Sequence, residues 1–491
     1  MTTCFCSAAS VFSRRSLRLI TGSLSFLVGL SAVGVAQNNL YVDVTAPGNG
    51  NGFTWTNAYN HLEVALLAAS PGDNIMLAEG VYRPGAATGS TLRTETFNIT
   101  TWVQIYGGYK GYNNGNPGVS TPNDPDGSRF NTNLSGDIRA TPSDPSDDAF
   151  HVVTVSATDP TTRIVLDGVQ ISSGNADGTG TDESIGGGIL VKDSWLRMAD
   201  GFLRQNMAAG NGAGVHVSGS SRLDLLRGRV RRNQSMADGG GIYSTGNTEV
   251  RIFNLDMSQN LASGRGGALR FTSTSEGSLL LANSVIYDNQ AGLGGGISMD
   301  GAFADRKVIN CTISFNKGNG SGTAGAGIHV DSHTASVQLL NSIVYFNPEI
   351  TNDDNIWTGS PGSFAVDHSN VGNSVSGLAL TAHTLNLDPE FSNPGLRRMG
   401  LKKTSPCLDA GDDGLIPLDF LDIDENGVSD MEKLNRDIKV QANGSAGFIS
   451  PREQSVVNCP VTGFGHDAFP FEKIVDMGAY EQTYTCPGPM N

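Results

Sequence analysis

A glycine-rich quartet recurs along the middle third of this chain, and its spacing leaves few folds open. Gly186-Gly187-Gly188-Ile189 is followed by Gly212-Ala213-Gly214-Val215, Gly239-Gly240-Gly241-Ile242, Gly266-Gly267-Ala268-Leu269, Gly294-Gly295-Gly296-Ile297 and Gly325-Ala326-Gly327-Ile328. The apolar members are separated by steps of 26, 27, 27, 28 and 31 residues. A second column keeps the same pace: Asn175, Asn206, Asn233, Asn260, Asn289, Asn316 and Asn347, at steps of 31, 27, 27, 29, 27 and 31. Two independent markers with one period specify a solenoid, in which each repeat stacks on the next.

The pattern inside each repeat says which solenoid. After the glycines come Ile-Leu-Val, Val-His-Val, Ile-Tyr-Ser, Leu-Arg-Phe, Ile-Ser-Met and Ile-His-Val, which alternate across two faces as strands do. Further strand-like runs follow, such as Arg222-Leu223-Asp224-Leu225-Leu226 and Ser284-Val285-Ile286-Tyr287. No repeat holds ten residues of helical periodicity, which excludes helical repeat arrays. Three short strands and three turns per coil describe a parallel β-helix of about ten coils, clearest over 164–347. Glycine supplies a positive φ and close backbone approach at one corner. The asparagines are expected at a second corner, in left-handed conformation, sharing side-chain amide hydrogen bonds between coils.

An open first coil needs a cover. The run Asn57 to Ala69, stopped by Pro71-Gly72, predicts a capping helix. Strands are expected at Asn74–Leu77, Thr96–Tyr106 and His151–Gly168. The domain reading is a leader at 1–36, the capped β-helix at 37–400 and an acidic, loop-rich segment at 401–491. The formal charge is −16, or −19 without residues 1–36, so binding to nucleic acid is not expected.

Arg14, Arg15 and Arg18 precede an apolar run, Leu19 to Val35, that closes on Gly34-Val35-Ala36. This is the layout of a secretory signal peptide cut after Ala36. No later stretch approaches a membrane-spanning length, so no transmembrane span is expected once the leader is removed. Of the cysteines beyond it, Cys311 reads as a small buried hydrophobe, Cys407 as a free thiol, and Cys459 with Cys486 as a disulfide in the tail.

These repeats resemble the right-handed parallel β-helix proteins of the pectin-lyase-like superfamily, and in particular exported bacterial surface proteins. The glycine quartets with Ile313-Ser314-Phe315-Asn316 and Val344-Tyr345-Phe346-Asn347 are similar to the repeats of polymorphic outer-membrane proteins. Tyr41-Val42-Asp43, Trp55 and Pro71-Gly72-Asp73-Asn74-Ile75 are similar to the opening of proteins with a choice-of-anchor Q domain. Asp388-Pro389-Glu390-Phe391, Ser405-Pro406-Cys407-Leu408-Asp409-Ala410-Gly411 and Val475-Asp476-Met477-Gly478-Ala479-Tyr480-Glu481 are similar to their close. The resemblance implies a right-handed β-helix exported to the bacterial envelope, and it implies no particular reaction.

The residues themselves offer little catalytic machinery. The polygalacturonase and pectate lyase motifs are absent, and Asp147-Asp148, Asp353-Asp354 and Asp412-Asp413 read as loop acids. Alternation places Leu190, His216, Tyr243, Arg270, Ser298 and His329 in one outward column of the glycine-corner strands. Of these, His216, Tyr243, Arg270 and His329 are the expected ligand-binding face, with a pH response from the two histidines. The next outward column ends in Asp300 and Asp331, which beside His329 are the candidate catalytic residues for a glycosidic bond. The expectation is an exported cell-surface or extracellular protein that binds or displays, its partner a polysaccharide or the cell envelope. A polysaccharide lyase or glycoside hydrolase is the alternative, and a structural envelope component the third.

In the tail, Asp422-Ile423-Asp424-Glu425-Asn426-Gly427-Val428-Ser429-Asp430 fits a calcium loop, with ligands from Asp422, Asp424, Asn426, the Val428 carbonyl and Asp430. Lys433 stands where the bidentate glutamate of an EF-hand would be. Calorimetry with calcium is expected to give a Kd of about 10⁻⁴–10⁻³ M, the range of extracellular modules. Asp424→Ala should abolish that heat; heat that survives the substitution would place calcium elsewhere.

Overall fold

The computed structural model describes residues 37–415 except 49, 113–130, 158–162, 274–275, 302–304, 320–324, 332–335, 349–354, 360–363, 374–377, 409 and 413–414. The expected leader, the calcium loop at 422–430, and Cys459 and Cys486 lie outside the described residues. The chain winds as a parallel β-helix. One coil runs through strands Ile189–Lys192, Trp195–Ala199, Phe202–Arg204 and Met207–Ala208 before the next glycine corner. Among the described residues, repetition builds a nine-stranded glycine-corner sheet, a broad sheet of twelve strands, a third sheet of ten and a narrow sheet of six. The shortest of the three main sheets has nine strands, which makes about nine complete coils rather than ten. Central coils also carry one strand more than expected: the two-residue strand after the asparagine corner, as at Gln234–Ser235 and Leu261–Ala262.

Strand alternation sends Ile189, Val191, Leu196, Met198 and Leu203, with most of their counterparts in the other coils, into one continuous apolar core. Each such side chain contributes about 1.5–3 kcal/mol on full burial. Arg306 interrupts that core, paired in register with Leu279 on one side and Val337 on the other. Its guanidinium is fully buried, donates Nη2 to the carbonyls of Asp300 and Gly301 at 2.8 Å each, and lies over the Phe271 ring.

The capping helix is shorter than its sequence pattern, Leu62–Ala68. Residues 57–60 are drawn off because Tyr59 donates to the Tyr41 carbonyl and accepts from the Asp43 amide, hydrogen bonds that a helix would have kept for itself. Leu62 and Ala65 close the end of the core. Trp55 packs edge-on against Tyr41 at 4.8 Å, and the Asp73 carboxylate accepts from the Asn38 and Ser70 amides. These opening motifs therefore build the cap. At the other end, Phe391–Asn393 and Arg398–Leu401 form an antiparallel hairpin. Phe391, Met399, Leu401 and Cys407 pack against Val285 and Ile343 on the outside of the third sheet. Cys311 carries a free buried thiol, its pKa pushed up to about 12 by burial. Cys407 is also buried, with its Sγ 3.1 Å from Asn370 Nδ2.

The two repeat markers act at different corners. The first glycine of each quartet has φ between 51° and 70°, the left-handed region where a side chain is strained. Inside the quartet the need is space: a Cβ on Gly240 would lie 2.4 Å from the Leu261 carbonyl oxygen. The asparagine column departs from expectation. The left-handed residue is the one before it (Gln205, Arg232, Gln259, Asp288, Phe315 and Phe346, φ 53–62°), and each asparagine turns its amide inward. Asn233 donates both its backbone N–H and Nδ2 to Oδ1 of Asn260, at 3.1 and 3.0 Å, and Nδ2 also to the Leu203 carbonyl at 3.1 Å. The same pattern runs from Asn206 through Asn233, Asn260, Asn289 and Asn316 to Asn347, and ends on Asn355.

Asn175 is not part of this ladder. It pairs in register with Met207, one place late, and its Nδ2 binds the Pro145 carbonyl; the amide of Gly174 occupies the ladder position and donates to Asn206 Oδ1. Asparagines do adopt the left-handed conformation at another corner, where Asn254, Asn283, Asn310 and Asn341 have φ of 49–54°. Asn260→Ala should cost roughly 1–3 kcal/mol, because two donors of Asn233 lose their acceptor inside the protein. Asn175→Ala should cost clearly less. Denaturant unfolding of the two variants checks this, and equal losses would mean the ladder adds nothing.

Candidate functional site

The glycine-corner sheet stacks its outward residues in register. Leu190 pairs with His216, His216 with Tyr243, Tyr243 with Arg270, Arg270 with Ser298, Ser298 with His329, and His329 with Trp357. The expected column therefore exists, extended by one tryptophan. Its accessibility differs from expectation: His216, Arg270 and His329 are buried, and Tyr243 is half-buried. The reason lies in the corner itself. The left-handed glycine turns the chain over its own strand and the one stacked on it: a Cβ on Gly239 would lie 2.7 Å from that of Tyr243, and one on Gly212 2.9 Å from the same atom. The turns roof the face that strand parity assigns to solvent.

Under this roof the side chains bind one another. The His216 ring stacks on Tyr243 with centroids 5.0 Å apart, and its Nδ1 lies 3.3 Å from the Asn211 carbonyl oxygen. Arg270 donates Nη1 to Ser298 Oγ at 2.8 Å and Nη2 to Asp300 at 3.4 Å, with Nε 3.7 Å from Asp238. Arg265 pairs with Asp331, and its amide donates to Asp238 Oδ1 at 2.8 Å. His329 Nε2 lies 3.2 Å from Asp331, and its ring stacks on Trp357 at 4.6 Å and 9°. The result is a seam across five coils in which arginines and aspartates alternate, half-open at Tyr243, Arg265, Asp300, Asp331 and Trp357.

For the two candidate carboxylates this arrangement is specific. The Asp331 amide continues the ladder by donating to the Met299 carbonyl, which seats it on the coil next to Asp300. Each carboxylate has its own cation, Arg270 for Asp300 and Arg265 for Asp331, and Asp331 also faces His329 Nε2. Arg265, Asp238 and Trp357 escaped sequence reasoning. The first two lie in the turns rather than the strands. Trp357 follows Ile356, which keeps the period but has Asp353-Asp354-Asn355 where earlier coils have glycines.

Burial also moves the expected histidine response to lower pH. Desolvation is the main cause in both residues: it pushes His216 down to about 4 and holds His329 below the ordinary imidazole range despite Asp331. The Asp147–Asp148 pair, read from sequence as loop acids, gathers with Asp137. Burial, then the neighbouring charges of Asp137 and Asp147, raise Asp148 to about 7.

Residues 161–344 match the family described as right handed beta helix region. The fold is a right-handed parallel β-helix. Among solved structures, the chain is similar to pectate lyase Pel9A at 12% identity, covering 78% of this chain and 94% of that one, with a TM-score of 0.44. A pectin methylesterase mutant in complex with a hexasaccharide is similar at 11% identity, covering 71% and 94%, with a TM-score of 0.30. No curated protein matches the sequence.

The histidine shift has a measurable sign. Below about pH 6.5 the unfolded chain binds a proton that folded His216 refuses, so stability falls as pH drops from there toward 4. His216→Gln should flatten this part of the curve in denaturant unfolding followed between pH 7 and 4, the range about those values. An unchanged slope would show that His216 titrates as a free imidazole.

Proposed function

We propose that this protein is an exported, non-catalytic β-helix that binds a polymeric glycan along its glycine-corner sheet. The observation that carries the reading is the half-open seam from Tyr243 to Trp357. Two aromatic side chains placed by the sheet register bracket the pairs Arg270–Asp300 and Arg265–Asp331. Aromatic faces stack on sugar rings, and forked guanidinium and carboxylate groups exchange hydrogen bonds with hydroxyls. A repeating surface of this kind suits a repeating ligand, because each coil presents a further contact at about 4.7–4.9 Å.

The binding roles differ from those expected of the column as a whole. Tyr243, Trp357, Arg265, Asp300 and Asp331 are the contact residues, whereas buried His216, Arg270 and His329 position them. The alternative of a glycan-cleaving enzyme would use Asp300 and Asp331 as its carboxylate pair. Their separate cationic partners favour binding over turnover.

The purified protein should be retained by at least one insoluble or immobilised acidic or neutral polysaccharide. Tyr243→Ala with Trp357→Ala should weaken retention about tenfold or more, as loss of aromatic anchors does at binding sites, while the melting temperature stays close to that of the parent. No new reducing or unsaturated ends should form. Ends that form and vanish in Asp331→Ala would replace this reading with the enzymatic one, and retention that ignores the double substitution would remove the seam from it.

A further inference from the structure

At the far end of the broad sheet, strand Phe364–Asp367 leads into a corner residue, His368, and the loop after strand Ala379–Leu380 brings His383 beside it. We propose that Asp367, His368 and His383 form a binding site for a divalent cation of the zinc class, which fastens this loop to the last coils. The site is separate from the glycine-corner seam and does not rest on the function proposed for it.

The backbone brings the three side chains together. His368 takes the left-handed conformation, φ 42°, at the corner where the preceding coils have Asn254, Asn283, Asn310 and Asn341. The loop is anchored by the Leu385 amide on the Ser369 carbonyl at 2.8 Å and by Thr384 Oγ1 on the Val366 carbonyl at 3.2 Å. The two imidazoles stack with centroids 4.1 Å apart at 21°.

Their nitrogens converge. Asp367 Oδ1 lies 3.0 Å from His368 Nδ1 and 3.4 Å from His383 Nδ1, and one donor atom from each residue falls within 4.8 Å of the others. Ligands about 2.0–2.1 Å from a tetrahedral ion are separated by about 3.3 Å, so the first two distances are those of neighbouring ligand atoms. His368 Nδ1 is also inaccessible and has no hydrogen-bond partner: its approach to Asp367 fails the geometry of a shared proton. In the tautomer with its proton on Nε2, His368 Nδ1 turns a lone pair toward the carboxylate oxygen, a repulsive contact that a cation between them converts into two bonds. Thr381 Oγ1 donates to the same Oδ1 at 2.5 Å and orients the carboxylate, as outer partners of metal ligands do.

Two imidazoles and one carboxylate are a borderline donor set, suited to zinc, nickel or copper rather than to magnesium or calcium. His383 is largely exposed, leaving room for water at a fourth position.

The test uses the full chain, purified without a histidine tag, stripped with chelator and carrying Asp424→Ala so that the tail loop does not contribute. Titration with zinc chloride should show one site with a Kd of about 10 µM or tighter, and zinc at 100 Kd should stabilise the fold by about 2.7 kcal/mol. His383→Ala and His368→Asn should each weaken binding at least tenfold and remove the zinc-dependent stabilisation. His368→Asn restores the residue type of the preceding corners and keeps the backbone, and an unchanged metal-free melting temperature will confirm that. Zinc affinity retained within threefold in both variants, or a parent Kd weaker than 100 µM, overturns the proposal.

Discussion

The asparagine ladder is the contact on which the rest of the solenoid depends. An amide side chain both donates and accepts, and here each Oδ1 from Asn233 to Asn347 receives two N–H groups from the preceding ladder asparagine while each Nδ2 reaches a carbonyl of the previous coil. All six ladder asparagines from Asn206 to Asn347 are buried, so a coil that slipped by one residue would leave several polar groups without partners. Such a penalty exceeds anything one pair of apolar contacts could recover. The ladder thereby fixes the rotation of each coil on the next. Every other column, inside and outside, inherits its alignment.

That alignment has opposite consequences on the two sides of the strands. Inward, it stacks aliphatic side chains into one core, interrupted by the buried guanidinium of Arg306, which carbonyls of the Asp300–Gly301 turn hold. Outward, on the glycine-corner sheet, it stacks polar and aromatic side chains that the turns then cover. Arg270 shows the effect: strand parity points it out, yet it ends up buried among Ser298, Asp300 and Asp238. The roof converts a row of separate surface groups into a preorganised seam, open only at its edges, and this is the physical basis of the binding reading.

Other devices stand at the two ends of the described solenoid, where the outermost described strands pair on one side. The short helix and the Tyr41–Trp55 contact close the first coils. At the other end, two sequence-distant motifs meet: Ser405 Oγ donates to the Pro389 carbonyl, and Arg397 pairs with Asp288 while lying over the Phe315 ring. The Asp367–His368–His383 cluster stands at the same end, which makes it part of the closure.

Much of this was legible in the residues, and the limits have a common cause. Period and alternation revealed the parallel coils, the outward column from Leu190 to His329 and the shared amide bonds, because each depends only on positions along one chain. Asn175 misled because a sequence spacing of 31 resembles the others while the structure offsets it by one place. Trp357 was missed because its coil lacks the glycines that marked the rest. Which outward residues meet solvent, which carboxylate meets which arginine, and which histidines converge were decided only in three dimensions. Arg265 and Asp331 come from different coils, and the turn over His216 hides it whatever its own strand dictates. The sequence determined the path of the chain through its periodicity. Tertiary structure decided charge partners and accessibility, because both are set by neighbours that the local pattern does not specify.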